Sequence, residues 1–309
     1  MNIAIQTGDV VDRLGLEKGY KAIADAGFKA IDWNLDHAVK ISDLNSNDYK
    51  GKSILEKPLD EVISYYENEL EIIRKNDLYI TQAHAPFPAH IRKFPETLDY
   101  MIEIYKRNIE YCDYCGCKNL VIHGISTPLG DDGDWEKYEK LNLKLYSSLI
   151  PVLQKTNVTV CLEDLFQTTG NVRYMGHCGD PHEAVSLIDR LNSEAQKECF
   201  GFCLDTGHIN LLRWDFRYYV GILGKRIKCL HIHDNDGVAD THMMPLTGTV
   251  NWKQLVEALK AVGYDGDLDF ETFAQTNKVL DFDEELISPW LDNIYAFGVS
   301  LKKKLVNNT

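Results

Sequence analysis

The sequence predicts an α/β protein that folds as a single (β/α)8 TIM barrel, and three observations lead to that prediction. Short apolar runs alternate with helix-period segments along all 309 residues. The eight runs are apolar almost throughout rather than at every second residue, which is typical of parallel strands covered on both faces. Six of them end on a histidine or a carboxylate, roughly 25–45 residues apart, as successive strand–helix units would place them.

The eight predicted strands, in chain order, are NIAIQTG, KAIDWNL, LYITQAHAP, NLVIHG, VTVCLEDL, FGFCLDTGH, IKCLHIHD and LDFET. Amphipathic helices fill the intervals in strict alternation; the clearest start follows Asp180 as N-cap, with Pro181 in the first turn. Parallel neighbours need helical crossovers, and eight such units close into a barrel. An open doubly wound sheet is the alternative, but no GxGxxG follows the first strand. Without a linker or an internal repeat, the chain is predicted to be one domain over residues 1–309.

Composition and charge argue against several classes of partner. Hydrophobic residues make up 44% and charged residues 26%, which is typical of a globular protein. The net charge of −14 argues against binding to nucleic acid or to an anionic membrane surface. No run reaches the roughly 18 apolar residues of a membrane span, and the N-terminus lacks an export signal. We therefore expect a cytoplasmic protein whose eight cysteines are reduced.

The last four predicted strands end on residues that together suit a divalent metal ion. These residues are Glu163, Asp205, His231 and Glu271. In a (β/α)8 barrel the active site is built at the C-terminal ends of the strands. Three carboxylates and one imidazole suit Mn²⁺, Mg²⁺ or Co²⁺ better than a closed structural zinc site, although Zn²⁺ is also compatible. His233 lies two residues after His231 on the same side of the strand, so the sequence leaves open which of the two is the ligand.

Other residues at strand ends and in the following loops are expected to contact a substrate. These residues are Trp33, His84, His123, His208, Asp240 and His242. An aromatic face such as that of Trp33 can stack on the apolar face of a sugar. Asp240 and His242, two residues apart in a polar loop, could instead bind a second ion. Asp234 could orient a neighbouring ligand.

Several motifs carry a resemblance to a known family, namely LED, LDTGH, HIHDNDG followed by DTH and NW, and the terminal DFET. The chain resembles the xylose isomerase-like barrels, which include sugar and sugar-phosphate isomerases and epimerases, inosose dehydratases and endonuclease IV. The resemblance implies that the four strand-end residues named above coordinate one divalent ion. It also implies that Glu163 and Glu271 exchange protons on opposite faces of the substrate carbon, while His208 contacts the substrate.

The resemblance therefore implies an isomerase or epimerase that acts on a sugar, a ketose or a sugar phosphate through an enediolate. An inosose-dehydratase-like lyase would use the same proton abstraction. The expected partner is a small carbohydrate, and relatives of this kind imply a homodimer or a higher homo-oligomer. A non-catalytic sugar-binding barrel is a further alternative.

The alternative from another class is an endonuclease IV-like zinc phosphodiesterase. The residue types of all its metal ligands are present, at His84, His123, Glu163, Asp205, His208, His231, Asp240, His242 and Glu271. Two departures count against this alternative. The interval from His231 to Asp240 is short for the endonuclease branch, and the loop of this chain reads HIHDND where that branch has a His-Leu-Asn-Asp-Ser run. The acidic charge balance is a third, weaker objection.

Overall fold

A computed structural model describes residues 1–128, 135–170 and 172–307 of the chain. The β-strands in this part of the chain are β1 Ile3–Gln6, β2 Ala30–Asn34, β3 Tyr79–His84, β4 Asn119–Val121, β5 Thr159–Glu163, β6 Phe166–Thr169, β7 Val172–Met175, β8 Phe200–Asp205, β9 Ile227–His231 and β10 Leu268–Phe270. The α-helices are α1 Gly8–Leu14, α2 Leu16–Asp25, α3 Ile41–Ser46, α4 Leu59–Lys75, α5 Thr97–Cys115, α6 Trp135–Ser147, α7 Ile150–Leu153, α8 Pro181–Ala195, α9 Thr206–Leu211, α10 Phe216–Leu223, α11 Trp252–Val262, α12 Phe273–Phe282 and α13 Ile287–Val306.

Eight of these strands form one parallel sheet in the order β10-β1-β2-β3-β4-β5-β8-β9. In the register of this sheet Ala4 is paired with both Asp269 and Ala30. A parallel bridge between Ile232 and Phe270 joins the two ends of the order, as closure into a barrel requires. The predicted (β/α)8 fold class is therefore confirmed, and the eight paired strands are the eight apolar runs of the sequence.

The prediction that strands and helices alternate strictly is wrong, because one β-hairpin and several short helices interrupt the alternation. Strands β6 and β7 form an antiparallel hairpin between β5 and α8, in which Phe166 pairs with Met175. The hairpin residues are half-buried or exposed, so they carry no apolar run that would have predicted strands. The short helices α1, α3, α9 and α12 also lie between predicted elements.

Backbone contacts divide the chain into two compact units. The first unit comprises Met1–Trp33, Glu69–Thr81 and Cys203–Thr309, and the second comprises Asn34–Asn68 and Gln82–Phe202. The prediction of a single domain over residues 1–309 stays a prediction.

None of the described helices has the length and apolar character that a membrane span requires.

Each unit has its own apolar core beneath the polar residues at its strand ends. In the first unit α13 packs on β1, where a Cβ at Gly298 would lie 2.7 Å from Ile3. The rings of Phe270 and Phe297 meet edge-on there, with centroids 6.0 Å apart. In the second unit the fully buried Tyr146 packs edge-on against Phe200, with ring centroids 6.3 Å apart. Close packing of this kind holds the strand ends, and therefore the residues they carry, in fixed positions.

Candidate metal and substrate site

The four predicted metal ligands all lie at the carboxyl ends of parallel strands. Glu163, Asp205 and His231 are the last residues of β5, β8 and β9, and Glu271 directly follows β10. All four are buried, with exposed fractions of 2%, 0%, 0% and 8% in chain order. Buried carboxylates are costly unless they are paired or bind a metal, so the contacts of each one indicate its role.

Asp205 organises the start of α9 and a second histidine. One of its oxygens accepts the backbone N–H of His208 at 2.7 Å, which caps the helix. His233 Nε2 lies 3.0 Å from both carboxylate oxygens of Asp205. The His233 ring packs so closely on Gly207 that a Cβ there would lie 2.0 Å from the imidazole, which explains the glycine in LDTGH. Of the two histidines that the sequence left open, His233 is thus the one that contacts Asp205.

His231 lies between carboxylates of the first unit and is completely buried. Its Nε2 is 3.4 Å from Asp32 Oδ2, and its Nδ1 is 3.7 Å from Glu271 Oε2. Asp269 joins Asp32 and His231 in a cluster whose potential ligand atoms all lie within 4.8 Å of one another. Burial and the neighbouring charge of Asp32 raise the pKa of Asp269 well above its ordinary value.

The sequence reasoning missed Asp32 and Asp269, although a signal was present. Each is a carboxylate inside an apolar strand run, in AIDWN and in LDF, and each is completely buried. Because an isolated buried carboxylate is costly, such a position predicts a polar partner inside the fold. Asp9, just after β1, was missed as well; burial raises its pKa to about 6, and Asn277 donates a hydrogen bond to it at 2.5 Å.

The loop after β9 brings Asp240 and His242 to Glu271. His242 Nε2 is 3.1 Å from Asp240 Oδ2, and His242 Nδ1 is 3.1 Å from the backbone oxygen of Glu271. His208 Nε2 approaches the same Asp240 oxygen at 3.5 Å, and the rings of His242 and His233 stack with centroids 3.9 Å apart. The two predicted loop residues and His208 therefore form one cluster in the first unit.

Charges in this cluster shift the pKa values of Asp240 and His242 in opposite directions. Burial alone would raise the pKa of Asp240, but hydrogen bonds and charges of His208 and His242 outweigh it and hold that pKa well below its ordinary value. Burial alone would lower the pKa of His242, but Glu271 and Asp240 raise it to about 10. Asp240 and His242 thus form an ion pair, with Nε2 of the histidine 3.1 Å from Oδ2 of the carboxylate.

Asp234 holds this loop in place from beneath. Its Oδ1 accepts the backbone N–H groups of Asn235 at 2.9 Å and Val250 at 3.0 Å. Its Oδ2 accepts the backbone N–H of Leu246 at 3.0 Å and the indole N–H of Trp252 at 3.1 Å. The side chain is completely buried, so it orders the loop that carries the polar pair rather than touching a ligand directly.

In the second unit a chain of side chains leads to Glu163. His84 Nδ1 is 2.9 Å from Asp36 Oδ1, His84 Nε2 is 3.0 Å from His123 Nε2, and His123 Nε2 is 2.8 Å from Glu163 Oε2. A proton on His84 Nδ1 satisfies the contact with Asp36, whereas the single proton on His123 Nε2 is shared between His84 Nε2 and Glu163 Oε2. The Phe87 ring covers both imidazoles, with centroids 5.6 Å from His84 and 4.9 Å from His123.

Trp33 does not belong with these residues. Its exposed fraction is 1%, and its indole N–H donates to Glu69 Oε1 at 3.0 Å. The hydroxyl of Tyr20 donates to the same oxygen at 2.5 Å. Since neighbouring residues of a strand point to opposite faces, Trp33 faces away from the side on which Asp32 lies. The indole is therefore too deeply buried for a sugar to stack on it, contrary to the expectation from the sequence.

The chemistry of the donors fits a divalent cation. Within the units, the groups whose ligand atoms lie within 4.8 Å of one another are His84, His123 and Glu163; His233, His242 and Glu271; and Asp32, His231 and Asp269. These groups combine carboxylate oxygens with imidazole nitrogens, the donor set of Mn²⁺, Co²⁺ and Zn²⁺ sites. A bound cation would also offset the repulsion among carboxylates buried at the strand ends.

Fold and site together define a (β/α)8 barrel protein whose strand ends carry buried histidines and carboxylates. The chain belongs to the xylose isomerase-like TIM barrel family, whose model matches residues 20–293. The family resemblance of the motifs is thereby confirmed.

Three comparisons show what the chain is similar to. It is 26% identical over 273 residues to the uncharacterized protein y4fM of Sinorhizobium fredii, which covers 84% of this chain and 81% of that protein. It is 26% identical over 183 residues to a probable endonuclease 4 of Mesoplasma florum, covering 55% and 58% of the two chains. Among solved structures, a D-tagatose 3-epimerase-like protein is similar with a TM-score of 0.67 at 20% identity, over 94% of this chain and 100% of that one. At that identity the structural likeness shows the fold alone.

Proposed function

We propose that this protein is a divalent-metal-dependent isomerase or epimerase that acts on a sugar, a ketose or a sugar phosphate. The observation that carries the proposal is that Asp205, His231 and Glu271 end or directly follow successive parallel strands, with their side chains buried. Membership of the xylose isomerase-like family and the similarity to a D-tagatose 3-epimerase-like protein support it.

In this proposal Glu163, Asp205, His231 and Glu271 hold one divalent ion, with Mn²⁺, Mg²⁺ or Co²⁺ preferred and Zn²⁺ compatible. When bound, the ion would polarise the substrate carbonyl and stabilise the negative charge that develops on its oxygen. His233 is the alternative to His231 as the imidazole ligand, because it already lies 3.0 Å from Asp205.

The two glutamates would move the proton at the carbon next to the carbonyl. Glu163 accepts a hydrogen bond from His123 at 2.8 Å, which keeps the carboxylate oriented. Glu271 has His242 Nδ1 at 3.4 Å and His231 Nδ1 at 3.7 Å from Oε2, which has the same effect. One glutamate in its ionised form would remove a proton from one face of the carbon, and the other, in its protonated form, would return a proton to the opposite face.

The remaining polar residues would bind substrate hydroxyls. His208 and Asp240 offer a donor and an acceptor 3.5 Å apart, and His84 offers its imidazole edge beside His123. Hydroxyl groups can both donate and accept hydrogen bonds, so neutral polyols match such alternating donors and acceptors.

The proposal is tested by proton exchange in D₂O with a panel of ketoses and the metal-loaded protein. We expect deuterium to enter at the carbon next to the carbonyl, and Glu163→Gln and Glu271→Gln to lower the exchange rate by about 10²–10⁴-fold. Glu103→Gln on the exposed face of α5 is the matched control and should exchange at the wild-type rate. Absence of exchange from every ketose, free or phosphorylated, would contradict the proposal.

A second candidate, a zinc phosphodiesterase, is favoured by two further clusters that suit metal ions. One comprises His84, His123 and Glu163, and the other comprises His233, His242 and Glu271. The similarity to a probable endonuclease 4 supports this candidate, whereas the net charge of −14 disfavours nucleic acid as substrate. Elemental analysis separates the two: about one ion per chain favours the isomerase or epimerase, and two or three tightly bound zinc ions favour the phosphodiesterase.

A further inference from the structure

A groove of about 570 Å³ lies in the first unit between α11 and α13. Its apolar lining comes from Leu246, Trp252, Val256, Phe297 and Leu301. Its charged lining consists of Lys253, Glu257, Lys260 and Lys304. The volume is within the range of about 300–1,000 Å³ that is usual for small-molecule sites. The groove is distinct from the metal and substrate site, since the two share no residue.

The two helices give this groove an apolar end and a cationic end. Trp252 begins α11, and its ring meets that of Phe297 edge-on with centroids 5.1 Å apart. At the other end Lys260 Nζ donates at 2.8 Å to the backbone oxygen of Asn307, which directly follows α13. Lys304 lies two helical turns after Phe297, or about 10 Å further along α13. Lys260 and Lys304 are therefore at the same end of the groove, about 10–12 Å from the aromatic pair.

The lysines of the groove keep their positive charge uncompensated. The partner of Lys260 is a backbone oxygen, which is neutral. Among the described residues, neither Lys253 nor Lys304 has a carboxylate oxygen within 4.0 Å. Glu257 lines the groove as well, but its Oε2 already accepts from Arg217 at 2.6 and 2.9 Å. In a chain with a net charge of −14, a groove with excess positive charge favours an anionic ligand.

Leu246 presents an accessible apolar side chain at the other end. Its exposed fraction is 70%, and its backbone has a φ of +72°, which residues other than glycine rarely adopt. Asp234 Oδ2 holds it there by accepting its backbone N–H at 3.0 Å, and the same oxygen accepts the indole N–H of Trp252 at 3.1 Å. An exposed leucine that is held in a strained conformation beside an indole indicates a surface that binds an apolar group.

We propose that this groove binds a small amphiphilic anion, namely an alkyl chain of medium length that ends in one carboxylate. The chain would lie on Leu246, Trp252 and Phe297, and the carboxylate would accept hydrogen bonds from Lys260 and Lys304. A neutral ligand would leave the cationic end without a counter-charge, and an ammonium head group would be repelled there. A hydrophilic anion such as inorganic phosphate would leave the apolar end in water. The inference does not depend on the proposed isomerase function.

The test is a titration of the full-length protein with octanoate, 1-octanol and octyltrimethylammonium, which share one alkyl chain and differ in the head group. The indole N–H signal of Trp252, assigned by its loss in Trp252→Phe, reports on the groove directly. We expect octanoate to shift this signal saturably and to bind about tenfold more tightly than either of the other two compounds. Vesicles of phosphatidylglycerol should not compete with octanoate, because the net charge of −14 opposes contact with an anionic surface.

Variants on α13 separate the groove from the rest of the surface. Lys304→Gln should weaken octanoate binding about threefold to tenfold and leave 1-octanol binding unchanged. Lys303→Gln is the matched control, since it removes the same charge from the next residue, which does not line the groove. Ser300→Trp should fill the groove and weaken octanoate binding about tenfold or more, whereas Ser300→Ala leaves the groove open and should bind like the wild type.

Several results would overturn the inference. Absence of saturable octanoate binding, or binding that leaves the Trp252 signal in place, would show that the groove is not the site. Equal or tighter binding of 1-octanol or of the ammonium compound would contradict the ligand class. Equal effects of Lys303→Gln and Lys304→Gln would reduce the role of the lysines to the overall charge of the protein. Competition by the vesicles would assign the groove to a membrane surface instead.

Discussion

Replacing Asp234 by asparagine should destabilise the loop that carries Asp240 and His242. The wild-type carboxylate accepts four N–H groups at 2.9–3.1 Å, two on each oxygen. An asparagine amide keeps only one oxygen, so two buried donors lose their acceptor and face an NH₂ group instead. A hydrogen bond to a charged group contributes about 1.5–3 kcal/mol, so we expect a loss of about 3–6 kcal/mol in the free energy of unfolding.

Urea unfolding followed by tryptophan fluorescence measures this loss, because Trp252 is one of the donors. Asp236→Asn is the matched control. Asp236 is exposed and uses a single oxygen to accept the N–H groups of Val238 and Ala239, both at 2.8 Å. An asparagine oxygen can make the same two bonds, so we expect a change below about 1 kcal/mol. If the two variants lost the same stability, the role assigned to the Asp234 carboxylate would be refuted.

Three further predictions concern other parts of the fold. Asp32→Asn should weaken binding of the proposed metal ion by about 10–100-fold, because the Asp32 carboxylate lies 3.4 Å from His231 Nε2 and orients that ring. Competition with a chelator measures the metal affinity, and an unchanged affinity would contradict this prediction. Asn142→Leu should lower the free energy of unfolding by about 1–3 kcal/mol, since it removes both hydrogen bonds between the Asn142 amide and the Ile125 backbone. Unchanged thermal unfolding would contradict a stabilising role of these two bonds. Burial alone would raise the pKa of Asp267, but hydrogen bonds from Tyr79, the Asn2 backbone and Thr81 outweigh it and lower that pKa. These bonds therefore stabilise the folded protein fully above the unfolded pKa of about 3.9, and this stabilisation is lost as pH falls through the lower folded pKa. Asp267→Asn should therefore be less stable at neutral pH and lose less stability on acidification, which unfolding curves between about pH 5 and pH 2 will show.

The fold and much of the candidate site could be predicted because both depend on local patterns. An apolar run that ends on Glu163 or Asp205 already states that a strand stops there, and parallel topology brings such ends to one edge of the sheet. The pairing of Asp240 with His242 needed only their spacing in one loop.

The remaining features depend on contacts that no local pattern encodes. Asp36 meets His84 across 48 residues and belongs to no motif. Strand alternation could have separated Trp33 from Asp32, but the position of the indole against Glu69 follows from helix packing. The β6–β7 hairpin is short and half-exposed, so its strands lack the apolar signal on which the strand prediction relied.

The close contacts of two histidine rings with glycines have a consequence for how this chain can vary. His177 occupies the space beside Gly124, and His233 occupies the space beside Gly207, each within about 2 Å of where a Cβ would be. A substitution at either glycine can therefore be accommodated only if its histidine changes too. Among related chains we expect residues 124 and 177 to covary, and likewise residues 207 and 233, because a side chain at either glycine would clash with its histidine.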